Sequence, residues 1–125
     1  MGLFSYLSNS YREAQEKANR AKADLDERIE HCSFVDACEI LSREMRSASS
    51  LPMRTGINNA FNEKLSFTED EEELYRGFVY LYDKARRTGD TFARGFANRI
   101  GQKLYRMDCY KVEANDDETV FRPRR

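Results

Sequence analysis

The sequence predicts an all-α protein, an antiparallel bundle of four to five helices with a long N-terminal helix and a polar C-terminal tail. Glycine and proline are scarce in the 125 residues (six and two), whereas 34% of the residues are charged. Such a composition is typical of long helices with solvated faces. Apolar residues also recur in steps of three and four along most of the chain. The length suits one domain with its own core, so we expect a bundle over residues 1–112 and a flexible or strapped tail over 113–125.

The first element is a helix with a heptad-like seam that runs from Leu3 nearly to His31. The seam consists of Phe4, Leu7, Tyr11, Ala14, Ala18, Ala21, Leu25, Arg28 and Cys32. Its middle is alanine, which lets a partner helix come close but buries little area. We expect that partner to be a helix of the same bundle, and the seam also permits a homodimer through the N-terminal helix.

Ser33 is expected to open the second helix, with Asp36 in a capping-box-like position. A break or kink near Cys32 is expected, although the sequence leaves open whether the first two helices are continuous. The buried face of the second helix is predicted to be Phe34, Cys38, Leu41, Met45 and Ala48. Residues 49–56 read SSLPMRTG, a composition that predicts a loop. A short third helix follows, with Ile57, Ala60, Phe61 and Leu65 facing inward.

The fourth helix is predicted from its charge order and its caps. Thr68 and Glu71 match a capping box. Acidic residues at 69–73 and basic residues at 84, 86 and 87 suit the two ends of the helix dipole, and Gly89 suits the C-terminal end. Its broad apolar face is predicted to contain Leu74, Tyr75, Phe78, Val79, Leu81, Tyr82 and Ala85. Tyr80 is expected on the opposite side, in line with Arg76, Lys84 and Arg87.

The fifth helix is expected from Thr91 to about Cys109, with Asp90 as its cap. Its predicted apolar face contains Phe92, Phe96, Ile100, Leu104 and Met107. Tyr105 falls on the polar side near Arg94 and Asn98, and Arg99, Lys103 and Arg106 line another flank. Beyond this helix, extended structure is expected only for Thr119–Phe121.

No catalytic set, glycine-rich phosphate loop or cofactor motif stands out, so we expect neither an enzyme nor a bound cofactor. His31, Cys32, Cys38 and Cys109 have the right number and types for structural zinc. However, His31 and Cys32 are adjacent and point about 100° apart on a helix. A single histidine also cannot supply the two Glu-x-x-His motifs of a di-iron bundle.

Charge and cysteine content limit the remaining classes. A net charge of −1 excludes polyanion binding by bulk charge. The odd cysteine count, three, argues against a secreted disulfide framework. No apolar run is long enough to span a membrane, and the N-terminus lacks a signal-peptide core. We therefore expect a cytoplasmic protein without membrane contact.

The functional hypothesis is a small non-enzymatic binding or regulatory protein that acts through a protein partner via a helical surface. Tyrosine and arginine are enriched at interface hot spots. The expected partner-binding residues are Arg76, Tyr80, Lys84, Arg87, Arg94, Asn98, Arg99, Lys103, Tyr105 and Arg106. The alternative is a nucleic-acid-binding protein that uses the basic, tyrosine-containing surface of residues 76–111. Residues 84–111 hold eight cations and two carboxylates, a net +6, and the acidic block at 63–73 leaves open whether this charge is neutralised internally.

Overall fold

The computed structural model describes the backbone of residues 3–107, 110–115 and 118–123, and the side chains of residues 8–107. Five helices pack into a bundle, which confirms the predicted all-α fold class. Their bounds are α1 Leu3–Ile29, α2 Phe34–Ser47, α3 Leu51–Phe67, α4 Glu71–Thr88 and α5 Thr91–Arg106. The predicted break between the first two helices is confirmed at residues 30–33.

After α5 the backbone forms two short strands, β1 Tyr110–Asn115 and β2 Glu118–Pro123. They pair antiparallel, with Tyr110 opposite Pro123 and Asn115 opposite Glu118. The extended backbone therefore covers more residues than the expected Thr119–Phe121. The two strands contact α5. The division at residue 112 into a bundle and a tail stays a prediction, and residues 116, 117, 124 and 125 lie outside the described ones.

The order of contacts places α1 at one edge of the bundle. It packs mainly against α3, α2 lies between α3 and α4, and α5 packs against α4. Helices that follow each other along the chain are antiparallel. Consequently α1 and α3 run in the same direction: Ala18 contacts the start of α3 near Gly56, and Ile29 contacts Lys64 near its end.

The core is formed by one apolar face of each of the helices α2 to α5 together with the C-terminal half of α1. The rings of Phe61 in α3 and Phe96 in α5 stack with their centroids 4.2 Å apart. The largest fully buried side chains are Phe34, Phe61, Phe96, Leu41, Met45, Ile57, Leu74, Leu81, Ile100, Leu104 and Cys38. The five residues predicted for the buried face of α2 are all buried, as are the four predicted for α3.

Several predicted helix ends are confirmed by their caps. The Ser33 hydroxyl accepts a hydrogen bond from the Asp36 amide at 3.3 Å. The Asp90 carboxylate accepts from the amides of Phe92 and Ala93. Gly89 ends α4 with φ = 72°, a left-handed conformation that glycine adopts without steric cost.

The prediction of a loop over residues 49–56 is wrong, because α3 already begins at Leu51. Ser50 is the N-cap, and its hydroxyl accepts from the Met53 amide at 3.4 Å. Pro52 lies in the first turn, where a missing N–H costs nothing. Gly56 is buried inside the helix against α1. The residues that resembled a loop are thus a helix start and a site of close packing.

The predicted Thr68–Glu71 capping box is also wrong. Asp70 is the N-cap of α4 and accepts from the Glu73 amide at 3.0 Å. Thr68 ends α3 instead, and its hydroxyl donates to the Lys64 carbonyl at 2.7 Å. Aspartate and threonine are both good N-caps, and here the aspartate two residues further on serves that role.

Candidate functional site

Two of the four predicted partner-binding residues on α4, Tyr80 and Lys84, are partly covered by the bundle, whereas Arg76 and Arg87 are exposed. Tyr80 is half-buried against the core, and burial raises the pKa of its phenol, with Glu39 adding to the effect. The Lys84 ammonium donates to the buried Ser42 hydroxyl of α2 at 3.0 Å. Arg76 and Arg87 pair with Glu72 and Asp83 on their own helix. The side of α4 that carries Tyr80 and Lys84 therefore faces α2, and Arg76 and Arg87 lie on its exposed border.

Gly77 explains why Tyr80 is half-buried and not exposed as predicted. A Cβ atom at this position would lie 2.7 Å from the ring of Phe34 and 3.2 Å from the sulfur of Cys38. Because the side chain is missing, α2 approaches α4 on the side of Gly77 and covers Tyr80. The opposite flank, with Tyr75 and Val79, is correspondingly left exposed by 39% and 43%, contrary to the prediction.

On α5, two of the predicted partner-binding cations stabilise the bundle itself. Arg99 donates to the Asn62 side chain at 3.1 Å, and its guanidinium lies 5.4 Å from the ring centroid of Phe96. Burial lowers the pKa of Arg99. Lys103 donates to the carbonyls of Leu65 and Ser66 at the end of α3.

Lys103 also pairs with one carboxylate of the acidic block at 63–73, so this part of the basic segment is neutralised internally. Its ammonium lies 3.3 Å from a carboxylate oxygen of Glu69. Lys64 similarly donates to the carbonyls of Ile29 and Cys32 at the end of α1. Cations at helix C-terminal ends satisfy free carbonyls and oppose the helix dipole. These lysines are therefore structural.

The remaining predicted partner-binding residues lie on the outer part of α5. Arg94, Tyr105 and Arg106 are exposed and Asn98 is half-buried. Of the ten predicted residues, five are exposed, and Lys84, Arg99 and Lys103 donate to groups on neighbouring helices. Their role in partner binding stays a prediction. Phe92, predicted to be inward, is 38% exposed, and the guanidinium of Arg54 lies 5.4 Å from its ring centroid.

A different surface has the features of a binding site: a groove of about 380 Å³ between the N-terminal half of α1 and the start of α3. We call it the α1–α3 groove. None of its nine lining residues is charged, in a chain in which 34% of residues are charged. They are Tyr11, Ala14, Gln15, Ala18, Asn19, Leu51, Pro52, Thr55 and Asn59. Tyr11 and Leu51 are 72% and 75% exposed.

Gly56 brings α3 against α1 beside the α1–α3 groove. A Cβ atom there would lie 2.5 Å from the carbonyl oxygen of Ala18 and 2.8 Å from the Cβ of Ala21. The two backbones are therefore in close contact at this level. The alanine seam noted in the sequence is explained here, because small side chains on α1 meet a glycine on α3.

Beyond this contact α1 extends past the start of α3. Ala18 of α1 lies against Gly56 of α3. Helix α1 begins fifteen residues before Ala18, whereas α3 begins only five residues before Gly56. The difference of ten residues corresponds to about 15 Å of helix. We call residues 3–12 the α1 overhang. Residues 8–13 are all exposed; the predicted seam residues Phe4 and Leu7 lie where side chains are not described.

Two other grooves are strongly charged. One lies between the C-terminal halves of α1 and α3 and is lined by four carboxylates, Lys64, Ile29 and Phe67. The other lies at the α4–α5 turn and includes Arg86, Asp90 and Arg94. One oxygen of the Asp90 carboxylate is buried there without a hydrogen-bond partner. Neither groove combines exposed apolar side chains with an uncharged lining.

The cysteines and the histidine do not assemble into a site among the residues with described side chains. Cys38 is fully buried, and burial raises the pKa of its thiol. His31 is 91% exposed and lies 3.9 Å from Glu30. No group of three or more metal-ligating side chains occurs in this part of the chain, and Cys109 lies outside it.

Comparison of the chain with protein-family models, curated proteins and solved structures gives no match. Among the helices described here, none has the length and apolar character needed to cross a membrane.

Proposed function

We propose that this chain is a small non-enzymatic binding protein that engages a protein partner through the α1–α3 groove. The observation that carries the proposal is the uncharged lining of that groove, flanked by Tyr11 and Leu51. Depletion of charge with enrichment of aromatic residues is typical of the core of a protein interface. A regulatory role in the cytoplasm is part of the same proposal.

The shape of the groove favours an amphipathic helix as the ligand. Its walls are two helices that run in the same direction, and Ala14 and Ala18 along α1 leave room for a third backbone. Helices bind to such grooves through apolar side chains spaced three and four residues apart. Leu51 and Tyr11 are positioned to contact those side chains from the two walls.

The nucleic-acid alternative has weaker support. Lys84, Arg99 and Lys103 donate to acceptors within the bundle, which leaves fewer cations to neutralise phosphates. Arg94, Tyr105 and Arg106 remain exposed on α5. Binding through them would weaken steeply as salt is added, whereas binding in an uncharged groove would respond much less.

The experiment compares three tagged forms of the chain: the wild type, Leu51→Glu and Phe67→Glu. Each is purified from its native host, with half of every extract treated with nuclease, and the bound proteins are identified and quantified by mass spectrometry. Leu51→Glu should leave folding intact, because Leu51 is exposed and a carboxylate in the first turn suits the helix dipole. Phe67→Glu is the matched control, since Phe67 is 78% exposed outside the groove.

We expect a stoichiometric protein partner to survive nuclease treatment. Leu51→Glu should reduce its recovery at least about tenfold, which corresponds to about 1.4 kcal/mol, and Phe67→Glu should not. Equal recovery by Leu51→Glu and the wild type would exclude the groove. Recovery that collapses after nuclease treatment would favour the nucleic-acid alternative.

A further inference from the structure

We infer that the partner is a second copy of this chain, whose α1 overhang binds antiparallel along this overhang and reaches the outer end of the α1–α3 groove to form a two-fold dimer. This inference rests on the proposed function, because it names the partner for the same groove. Three observations carry it: the composition of the overhang, the exposure of its residues and the register that its seam permits.

The overhang has the composition that the groove requires. Among the first fifteen residues only Arg12 and Glu13 are charged, whereas eight of the fourteen residues at 16–29 are charged. Positions 4, 7, 11 and 14 carry the apolar seam, and the flanking heptad positions 8, 10 and 15 are Ser, Ser and Gln. In a paired helix, the seam and its flanks meet the partner. They therefore bring no charge into an uncharged groove.

The described side chains of the overhang gain little stability from the rest of the molecule. Residues 8–11 read SNSY, and serine, asparagine and tyrosine are weaker helix formers than alanine or leucine. Residues 8–13 are all exposed, so the bundle gives this stretch little packing. Most helical stability in proteins comes from tertiary packing of one face, and this stretch of α1 has little of it. A helix packed alongside would supply those contacts.

An antiparallel pair of overhangs has a self-complementary register. When the position numbers of facing residues sum to 18, position 7 of one copy lies opposite position 11 of the other, and position 4 lies opposite position 14. Phenylalanine then faces alanine, a large residue opposite a small one, as dense packing requires. The contact is the same on both copies, so it closes as a dimer and does not propagate.

This register also keeps the two bundles apart. Position 13, where α3 begins beside α1, lies opposite position 5 of the other copy. Only residues 3–5 of each copy therefore lie alongside the start of the other copy's α3. Each overhang reaches positions 11–14 of its partner, next to Leu51 and Pro52 on the far wall of the groove.

The test is sedimentation equilibrium over a wide range of protein concentration. The chain has a mass of 14.7 kDa, and we expect the wild type to approach twice that mass as concentration rises. Tyr11→Glu places a carboxylate in the seam and should raise the dissociation constant at least about tenfold. Phe67→Glu removes a similarly exposed aromatic residue elsewhere and should leave the constant unchanged.

Disulfide cross-linking tests the direction of the two helices. In a Cys32→Ser, Cys109→Ser background, with the buried Cys38 retained, Ser10→Cys places two cysteines close to the two-fold axis. Lys17→Cys places them sixteen residues apart along the helices, about 24 Å, and should not cross-link. Cross-linking by both variants would indicate a parallel pair and overturn the proposed register.

A wild type that stays monomeric at every concentration would overturn the inference, as would a dimer that Tyr11→Glu does not weaken. The same measurements distinguish failure of the dimer from failure of the proposed function. If the chain is monomeric but Leu51→Glu still loses a co-purified protein, the groove binds a different helix. If neither substitution has any effect, both proposals are wrong.

Discussion

At the scale of single residues, glycines decide which surfaces are covered. Gly77 brings α2 against α4 and so buries part of Tyr80, and Gly56 brings α1 against α3. At Gly95, on α5, no atom other than those of its chain neighbours and its own helix backbone lies within 4 Å of where a Cβ would be. The three look alike in the sequence, because helical periodicity does not show how close a neighbouring helix comes.

This difference gives the first stability prediction. Gly77→Ala should lower the free energy of unfolding by about 1–3 kcal/mol, the usual cost of overpacking, because the Phe34 ring is fully buried and cannot move aside cheaply. Gly95→Ala should raise it by about 0.5–1 kcal/mol through helix propensity. Urea denaturation of both variants measures this. Equal effects from the two substitutions would show that close approach at Gly77 is not present in solution.

At the scale of elements, α1 is attached to α3 by a polar bridge as well as by small residues. The Lys22 ammonium lies 2.6 Å from a carboxylate oxygen of Glu63 and also pairs with Asp26 on its own helix. Hydrogen bonds from Lys22 hold the pKa of Glu63 below its ordinary value of 4.5. The same carboxylates raise the pKa of Lys22. This bridge lies toward the C-terminal side of the Gly56 contact, away from the overhang.

The bridge predicts how stability depends on acid. A carboxylate whose pKa is depressed on folding contributes stability above its unfolded pKa, near 4.5, and this contribution is lost as the pH falls through the folded pKa. The stability difference between the wild type and Lys22→Met should therefore shrink on going from about pH 6 to about pH 3. It should stay below about 1 kcal/mol because the groups are partly exposed. Lys17→Met is the control, and a difference that does not vary with pH would contradict the bridge.

At the scale of the whole molecule, the sequence predicts the fold better than the site. Periodicity and caps predict a bundle of four to five helices and the buried faces of α2 and α3, because local patterns determine which face of a helix is apolar. They do not determine which helices become neighbours. For that reason the sequence could not show that Lys84, Arg99 and Lys103, three cations of the predicted basic surface, donate to acceptors on other helices. The sequence signal for the α1–α3 groove is weaker: it is the scarcity of charge in the first fifteen residues. This scarcity can be interpreted only with the structure, which shows that α1 extends past α3.

The most direct test of the account is hydrogen exchange at the backbone amides of residues 8–13, followed as a function of protein concentration. If no partner helix packs against the overhang, its backbone hydrogen bonds should open readily and its amides should exchange fast. If a partner packs against it, these amides should be protected. We predict that the protection of residues 8–13 grows with concentration in the wild type and is lost in Tyr11→Glu. Amides 57–61 of the core should exchange slowly in both proteins at every concentration. Fast exchange of residues 8–13 at every concentration, and after addition of any protein recovered by co-purification, would contradict the claim that this surface binds a helix.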